Sequence, residues 1–218
     1  MQTCKICGSS KLISYHHPKF NILFHECKTC EVIYKDDRHK ISLDDEYKVY
    51  ENHQNTLDNE GYVKFLSDFI DQTVIPYKKC GDLLDFGSGP SPVLSYILKR
   101  QYMFHVSIYD IFYAKGVNVF NKTYDVITST EVFEHLSNPN ETFVKLKKSL
   151  KDGGILAVMT LFHPNNLDKF NDWFYIRDPS HITFYTPKTF KVLAKKHGFE
   201  VLYTNEHRYI TLKKITLE

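Results

Sequence analysis

The chain has 218 residues, of which 42% are hydrophobic and 25% charged; these are ordinary values for a globular protein and exclude a disordered chain. Its 28 basic and 26 acidic side chains leave a formal net charge of +2, which is too balanced to indicate a nucleic-acid partner. There is no run of about 18 apolar residues, and the start lacks the apolar segment of a signal peptide. We therefore expect a cytoplasmic protein without a membrane partner.

Four cysteines near the N-terminus form two Cys-x-x-Cys pairs, Cys4 with Cys7 and Cys27 with Cys30, and 19 residues separate the pairs. This spacing is typical of two knuckles that share one tetrahedral metal ion. Four thiolates leave no coordination position open, so we predict a structural zinc ion in a zinc ribbon over residues 1–40. A redox role would need a thioredoxin-like βαβ context, which the short β-prone runs here do not provide.

The ribbon is expected to have a mildly basic surface, diluted by Asp36 and Asp37. Its basic residues are Lys5, Lys11, Lys19, Lys28, Lys35, His16 and His17. Zinc ribbons often contact nucleic acid or protein. We favour an interface or lid on the substrate side of the main domain, with RNA binding as the alternative.

Residues 41–80 are predicted to form a helical lead-in, because apolar residues recur at helical spacing from Tyr62 to Ile70 before Pro76 ends the pattern. Strands and helices then alternate through residues 81–216, which predicts right-handed βαβ units and a parallel sheet. The predicted strands are 82–86, 104–109, 124–129, 155–160, 199–204 and 208–215, and the predicted helices are 91–100, 140–150 and 187–196. A short link makes the last two strands antiparallel. The fold class is thus α/β, a doubly wound Rossmann-like sheet with a final antiparallel strand. Leu217 and Glu218 are treated as an expression scar.

The loop from Asp85 to Gly89 follows a buried strand, where an open α/β sheet binds its ligand. Its two glycines permit a tight turn and close approach of a ligand, while Ser91 is suited to cap the next helix, with Pro92 at its first position. Pro92 stands where a dinucleotide fingerprint needs its third glycine, and no Walker lysine follows. Asp85 would repel a phosphate but suits a sulfonium or ammonium centre. The loop therefore favours S-adenosylmethionine.

Asp110 ends the next strand, 21 positions after Gly89, where a carboxylate can accept both ribose hydroxyls. Only 13 residues separate Asp110 from Tyr124, too few for a helix and a further strand. Residues 115–120 are predicted to be an edge strand or a loop. Ile111, Phe112 and Tyr113 are candidates for the adenine face, with simple core packing as the alternative.

Two segments resemble signature motifs of class I methyltransferases: residues 84–89 resemble motif I, and residues 124–136 resemble the fourth-strand motif. The run from Glu131 to Leu136 is similar to the Glu-Val-x-Glu-His-Leu of the branch that contains ubiquinone-biosynthesis O-methyltransferases. Residues 178–187 and 196–199 resemble the C-terminal half of that branch. The resemblance covers residues 62–216 and implies S-adenosylmethionine-dependent methyl transfer. Some sugar C-methyltransferases of the broader branch also carry a cysteine-rich zinc module, together with a C-terminal domain that is not seen here. The predicted cofactor contacts are Asp85, Phe86, Gly87, Ser88, Gly89, Asp110, Ile111, Thr130 and Glu131.

Methyl transfer to a hydroxyl or carbon requires a base that removes a proton, and three histidines are candidates. His181 lies in an aromatic-rich segment typical of a substrate lid and is the preferred base. His135 follows the fourth strand, where we expect Glu131 and Glu134 to orient it, and His53 lies in the lead-in. The catalytic set is His181, His135 and Glu134.

The acceptor is predicted to be a small molecule methylated on oxygen or carbon, because the Asn/Asp-Pro-Pro-Tyr/Phe signature of nitrogen methylation is absent after strand four. Two alternatives remain open. One is an RNA methyltransferase whose ribbon grips the substrate, and the other is a non-catalytic binding module that keeps the fold.

Overall fold

A computed structural model of the protein describes residues 2–50 and 56–216. The predictions made for His53 and for Leu217 and Glu218 lie outside these ranges. The N-terminal part is an antiparallel meander followed by two helices. Its elements are β1 (Leu12–His16), β2 (Leu23–Cys27), β3 (Ile33–Lys35), α1 (Leu43–Tyr50) and α2 (Glu60–Thr73).

The remaining residues build the α/β unit in the predicted alternation. Its elements are β4 (Cys80–Phe86), α3 (Val93–Gln101), β5 (Met103–Tyr109), β6 (Tyr124–Thr130), α4 (Pro139–Lys148), β7 (Leu150–Met159), α5 (Leu167–Asp172), β8 (Thr183–Phe184), α6 (Pro187–His197), β9 (Phe199–Thr204) and β10 (Tyr209–Lys214). Six strands form one sheet in the order β5-β4-β6-β7-β10-β9. The pairs from β5 to β7 are parallel, and β10 is antiparallel to both of its neighbours. The predicted fold class is confirmed.

Helices cover both faces of this sheet because successive strand residues point to opposite sides. Leu83 and Val126 pack into the core beneath α2 and α3, and Leu84 and Ile127 into the core beneath α4 and α6. All four side chains are fully buried.

The start of α3 differs from the prediction. The helix begins at Val93, and Pro92 is its N-cap, without a side-chain cap. Ser91 therefore lies outside the helix, in a bend between the two prolines where its carbonyl accepts from the Val93 amide at 2.8 Å. The next helices follow the expected capping rules: Asn138 caps α4, and Thr186 forms a capping box on α6.

The segment after Asp110 is neither an edge strand nor an irregular loop. Residues 117–121 form a 3-10 helix, whose Val119 carbonyl accepts a hydrogen bond from the Tyr124 hydroxyl at 2.8 Å. Phe120 packs edge-on against Tyr109, and the Lys145 ammonium lies 3.5 Å from the Phe120 ring centre. This short turn covers the end of β5, which stays at the edge of the sheet.

The N-terminal meander is extended by a strand from the distant end of the chain. Its sheet has the order β1-β2-β3-β8, and Ile33 pairs with Phe184 across the β3–β8 junction. Phe24 and Phe184 also share a buried aromatic cluster with Phe170. The meander is therefore joined to residues 183–184 by both backbone pairing and side-chain packing.

The predicted basic surface of the ribbon is wrong in part. Lys35 and His17 are both 1% exposed. Lys35 donates to the carbonyls of residues 178 and 179, and His17 Nε2 donates to the Asn171 carbonyl, 2.8 Å away. Burial against a second segment removes these groups from the surface that RNA would meet. None of the described helices is long and apolar enough to span a bilayer.

Candidate active site

The loop after β4 turns on two glycines with left-handed backbones, Gly87 at φ 87° and Gly89 at φ 64°. The amides of Gly87 and Ser88 both donate to the Tyr109 carbonyl, at 2.7 and 3.1 Å. A β-carbon on Gly87 would stand 2.1 Å from Val132 Cγ2, so this glycine is required by close packing as well as by its φ angle. The turn is thus fixed against β5 on one side and against the residue after β6 on the other.

Asp85 lies beneath this turn and is 1% exposed. It accepts hydrogen bonds from the Ser95 hydroxyl at 2.9 Å and the Thr128 hydroxyl at 3.3 Å. Burial raises the pKa of Asp85 to about 6, although the two hydroxyls oppose the change. Its partners are neutral, so a cation in the adjoining cavity would favour its ionised form.

Asp110 organises the turn that closes over the other side of the loop. One of its oxygens accepts from the Gly89 amide at 2.9 Å, and the other accepts from the amides of Phe112 and Tyr113 at 2.8 and 3.1 Å. The carboxylate therefore links the glycine turn to the segment after β5. A carboxylate has about four lone-pair sites, so it keeps acceptor capacity for a ligand hydroxyl.

Three side chains predicted for the adenine face line the cavity beside Asp110, and Ile111 among them is 51% exposed. Tyr47 of α1 packs on both others, with its ring centre 5.6 Å from those of Phe112 and Tyr113. Helix α1 thus supplies an aromatic partner to the short segment between Asp110 and Tyr124. Sequence spacing gave no signal for Tyr47.

Two buried glutamates at the end of β6 share one tyrosine. The Tyr175 hydroxyl lies 2.8 Å from Glu131 Oε2 and 2.5 Å from Glu134 Oε1. Burial, followed by the nearby Glu134 carboxylate, raises the pKa of Glu131 well above its ordinary value. The raised pKa of Glu131 favours its protonated form, which can donate to the Tyr175 hydroxyl while that hydroxyl donates to Glu134.

His181 is held in one tautomer by its backbone environment. Its Nδ1 lies 2.8 Å from the Tyr175 carbonyl, which can only accept, so Nδ1 carries the hydrogen. Burial lowers the pKa of His181, which keeps the ring neutral near pH 7. The unprotonated Nε2 is then available as a base or as a ligand on the cavity side. Its distance of 3.7 Å from Asp178 Oδ2 is too long for a hydrogen bond.

His135 lies near Glu134, one of the two carboxylates predicted to orient it, and closer to Glu46, which was not predicted. Its Nδ1 lies 3.3 Å from Glu46 Oε1 of α1, and its Nε2 lies 4.0 Å from Glu134. Burial disfavours the charged ring, yet Glu46 and Glu134 outweigh burial and raise the pKa of His135. The expected contact with Glu131 does not form, because Glu131 adopts a left-handed backbone at φ 52° and turns toward Tyr175.

The predicted catalytic residues come together. One donor atom from each of Glu134, His135 and His181 lies within 4.8 Å of the others. Two imidazoles and a carboxylate are a donor set that suits a divalent cation, and the same set suits proton transfer. A buried oxygen of Glu134 and one of Glu131 have no hydrogen-bond partner among the described residues. These two acceptors are therefore available to a ligand.

The glycine turn and the histidine cluster line one cavity of about 890 Å³. That volume lies in the range of small-molecule and cofactor sites, which run to about 1,000 Å³. Asp85, Gly89 and Asp110 bound one side, and His135 and His181 bound the other. All of the sequence-predicted cofactor contacts, including Phe86, Ser88, Ile111, Thr130 and Glu131, line this same cavity.

The four N-terminal cysteines form a separate cluster whose sulfurs all lie within 4.8 Å of one another. Cys4 and Cys30 are 3.6 Å apart at sulfur, as are Cys7 and Cys27. A tetrahedron of thiolates at a zinc–sulfur distance of about 2.3 Å has edges of roughly 3.8 Å, so the donor set fits such an ion. Cys4 and Cys7 precede β1, Cys27 ends β2 and Cys30 lies between β2 and β3, so the cluster is built by the N-terminal part of the chain alone.

Comparison with known families explains this cavity. Residues 56–204 match the family described as "Methyltransferase domain". The chain belongs to this methyltransferase family. No curated protein gives a significant match to the sequence. The matched range contains the glycine turn and the Glu134–His135–His181 cluster, whereas the cysteine cluster lies before it.

Solved structures share the fold of this methyltransferase at low identity. A protein described as a methyltransferase from Bacillus halodurans C-125 is 13% identical, with a TM-score of 0.54 over 70% of this chain and 100% of that one. An O-methyltransferase family protein from Burkholderia thailandensis is 14% identical, with a TM-score of 0.50 over 73% and 57% of the chains. A sarcosine dimethylglycine methyltransferase from Galdieria sulphuraria, so described, is 11% identical, with a TM-score of 0.51 over 70% and 85%. At these identities the likeness concerns the fold alone.

Proposed function

We propose that the protein is an S-adenosylmethionine-dependent methyltransferase that acts on an oxygen or carbon of a small-molecule acceptor. One observation carries this proposal: a single cavity is bounded by the glycine turn on one side and by the Glu134–His135–His181 cluster on the other. A cofactor-sized ligand at the turn therefore faces groups that can move a proton. The run from Glu131 to Leu136 resembles the motif of the branch that contains ubiquinone-biosynthesis O-methyltransferases.

The residues of the turn suit this cofactor. When bound, S-adenosylmethionine supplies a methyl group activated by a sulfonium. Asp110 keeps lone pairs for ribose hydroxyls, the buried Asp85 favours a cationic ligand, and Ile111 offers an apolar surface to adenine. The prolines at 90 and 92 lack amide hydrogens, which disfavours a phosphate-bearing ligand.

His181 is the proposed base, because its tautomer leaves Nε2 free to accept the acceptor's proton. The raised pKa of His135 favours the charged form of this second ring, which can hold a developing oxyanion. Glu134 has an oxygen within 4.8 Å of a nitrogen of each ring, so its carboxylate would stabilise the charge that His181 gains. The histidines thus hold complementary protonation states in one site.

The cysteine cluster is proposed to hold one structural zinc ion, which would close the meander into a ribbon. The proposed organisation is a zinc ribbon over residues 1–40, a helical lead-in over 41–80 and the cofactor-binding domain over 81–216. RNA methylation is less well supported, because Lys35 and His17, two of the basic residues expected on the ribbon surface, lie buried.

The first test is calorimetric titration of the purified protein with S-adenosylmethionine, S-adenosylhomocysteine and NAD⁺. We expect the first two to bind and NAD⁺ not to bind. Absence of binding by both sulfur nucleosides would overturn the proposal and leave a non-catalytic module that keeps the fold.

The second test follows radiolabelled methyl groups from S-adenosylmethionine into a cell extract separated into small metabolites and RNA. We expect label in the metabolite fraction, loss of transfer in His181→Gln, and unchanged cofactor affinity in that variant. Label in RNA alone would favour the RNA alternative. If chelation abolishes transfer and added Mg²⁺ restores it, the histidine cluster serves a cation and His181 is not the base.

A further inference from the structure

Lys35 is a buried lysine whose ammonium makes no ion pair with a described carboxylate. It ends β3 and is 1% exposed. Burial lowers its pKa to about 8, with Asp178 partly opposing this effect. Burying an amine is costly unless its hydrogens are satisfied, so the contacts of this group indicate what it is for.

The Lys35 ammonium donates to two consecutive backbone carbonyls, those of Asp178 at 3.2 Å and Pro179 at 3.1 Å. The backbone amide of Lys35 donates to the Ile182 carbonyl at 2.9 Å. One residue of the N-terminal meander therefore holds both ends of the segment 178–182. His181 lies inside that segment.

The same segment is a tight turn around His181. The Asp178 carbonyl accepts from the His181 amide at 3.3 Å, and the Asp178 carboxylate accepts from the Ser180 amide at 2.8 Å. The Ile182 amide donates to the Glu134 carbonyl at 2.8 Å. The Asp178 carbonyl thus accepts hydrogen bonds from both the Lys35 ammonium and the His181 amide. Lys35 therefore binds the same peptide group that anchors the backbone of His181.

We propose that Lys35 is a positioning residue that clamps the 178–182 turn and thereby holds His181 with its Nδ1 on the Tyr175 carbonyl and its Nε2 toward the cavity. This inference rests on the proposed function only in giving His181 a role as base. Through Lys35, the N-terminal meander contributes to the geometry of the site without lining the cavity.

The test measures the His181 tautomer, a signature that loss of stability alone does not change. Long-range proton–nitrogen NMR spectra are recorded on histidine-labelled protein without added divalent cation, and His181→Gln identifies the His181 signals by their loss. In Lys35→Met we expect the ratio of the Nδ1–H to the Nε2–H tautomer to fall by about threefold to tenfold, the effect of about one hydrogen bond. Lys35→Arg, which keeps donors, should restore part of the ratio.

Lys196→Met is the matched control, because the Lys196 ammonium also joins the meander to the main domain through a carbonyl, that of Ile6 at 2.8 Å. We expect its His181 spectrum to match that of the unaltered protein. If Lys35→Met does not fold, Lys35→Gln, which keeps a shorter donor, takes the same measurement. An unchanged tautomer ratio in the folded Lys35 variant, or an equal change in Lys196→Met, would overturn the inference.

S-adenosylmethionine affinity separates this inference from the proposed function. We expect Lys35→Met to bind the cofactor within about twofold of the unaltered protein, since Lys35 does not line the cavity. Failure of the unaltered protein to bind the cofactor would defeat the proposed function, while the tautomer result would still decide the role of Lys35.

Discussion

Substitution of Gly87 by alanine tests the packing of the glycine turn. The new β-carbon would lie 2.1 Å from Val132 Cγ2, on a residue whose φ is +87°. A left-handed backbone costs a non-glycine residue about 1–2 kcal/mol, and forcing a methyl group into packed surroundings costs about 1–3 kcal/mol. Val132 is β-branched and cannot easily rotate away. We therefore expect Gly87→Ala to lower the free energy of unfolding by about 2–5 kcal/mol.

Gly89→Ala is the control for this prediction. Gly89 also has a positive φ, +64°, but a β-carbon there meets nothing within 4 Å. Gly89→Ala should therefore lower the free energy of unfolding only by the backbone contribution of about 1–2 kcal/mol. Urea denaturation measures both changes, provided that the slope with denaturant is unchanged.

A double-mutant cycle isolates the contact itself. Combining Gly87→Ala with Val132→Ala removes the Cγ2 group and should restore part of the lost stability, so the two substitutions should show a favourable coupling of about 1 kcal/mol or more. Equal destabilisation by Gly87→Ala and Gly89→Ala, without coupling to Val132, would refute the steric reasoning.

Three further outcomes follow from the buried acid, the cysteines and the ribbon surface. The folded-state pKa of Asp85 is raised from 3.8 to about 6, so its protonation contributes stability that is full below about pH 4 and is lost as pH rises through 6. Between pH 4 and pH 7, the free energy of unfolding of Asp85→Asn should change by about 3 kcal/mol less than that of the unaltered protein. Equal changes in the two proteins, measured by denaturant titration at both pH values, would contradict this. Elemental analysis should find one zinc per chain. The zinc should be lost in Cys30→Ser and retained in Cys80→Ser, because Cys80 is exposed and lies outside the cluster. Zinc retained in both variants would argue against a zinc site at the cysteine cluster. Filter binding to RNA should be weak at all salt concentrations, and a steep fall of strong binding with salt would revive the RNA alternative.

The parts of the site that are local in sequence could be predicted. The turn at Gly87 and Gly89 follows from glycine chemistry at the end of a strand, and Asp110 follows from its spacing. His181 and Glu134 were predicted individually, and the structure brings them together. Parallel strands end at one edge of the sheet, so residues after different strands meet there without any local signal of their neighbours.

Contacts between distant segments could not be predicted. Tyr175 meets Glu134 across 41 positions, and Lys35 meets Asp178 across 143. Neither contact has a periodicity or motif, because each depends on how the 161–186 segment folds back. Lys35 also shows why composition misleads: a lysine in a short β-prone run is expected at the surface, yet here backbone carbonyls replace its water.

The family match begins at residue 56, but three groups that shape the cavity precede it. Glu46 contacts His135, Tyr47 packs on Phe112, and Lys35 holds the turn around His181. The matched range contains the glycine turn and the Glu134–His135–His181 cluster, while a preceding carboxylate raises the pKa of one histidine and a preceding lysine holds the turn that carries the other. Under the proposed function, the charge and orientation of these histidines determine whether a proton can leave the acceptor, so we propose that the N-terminal segments take part in catalysis.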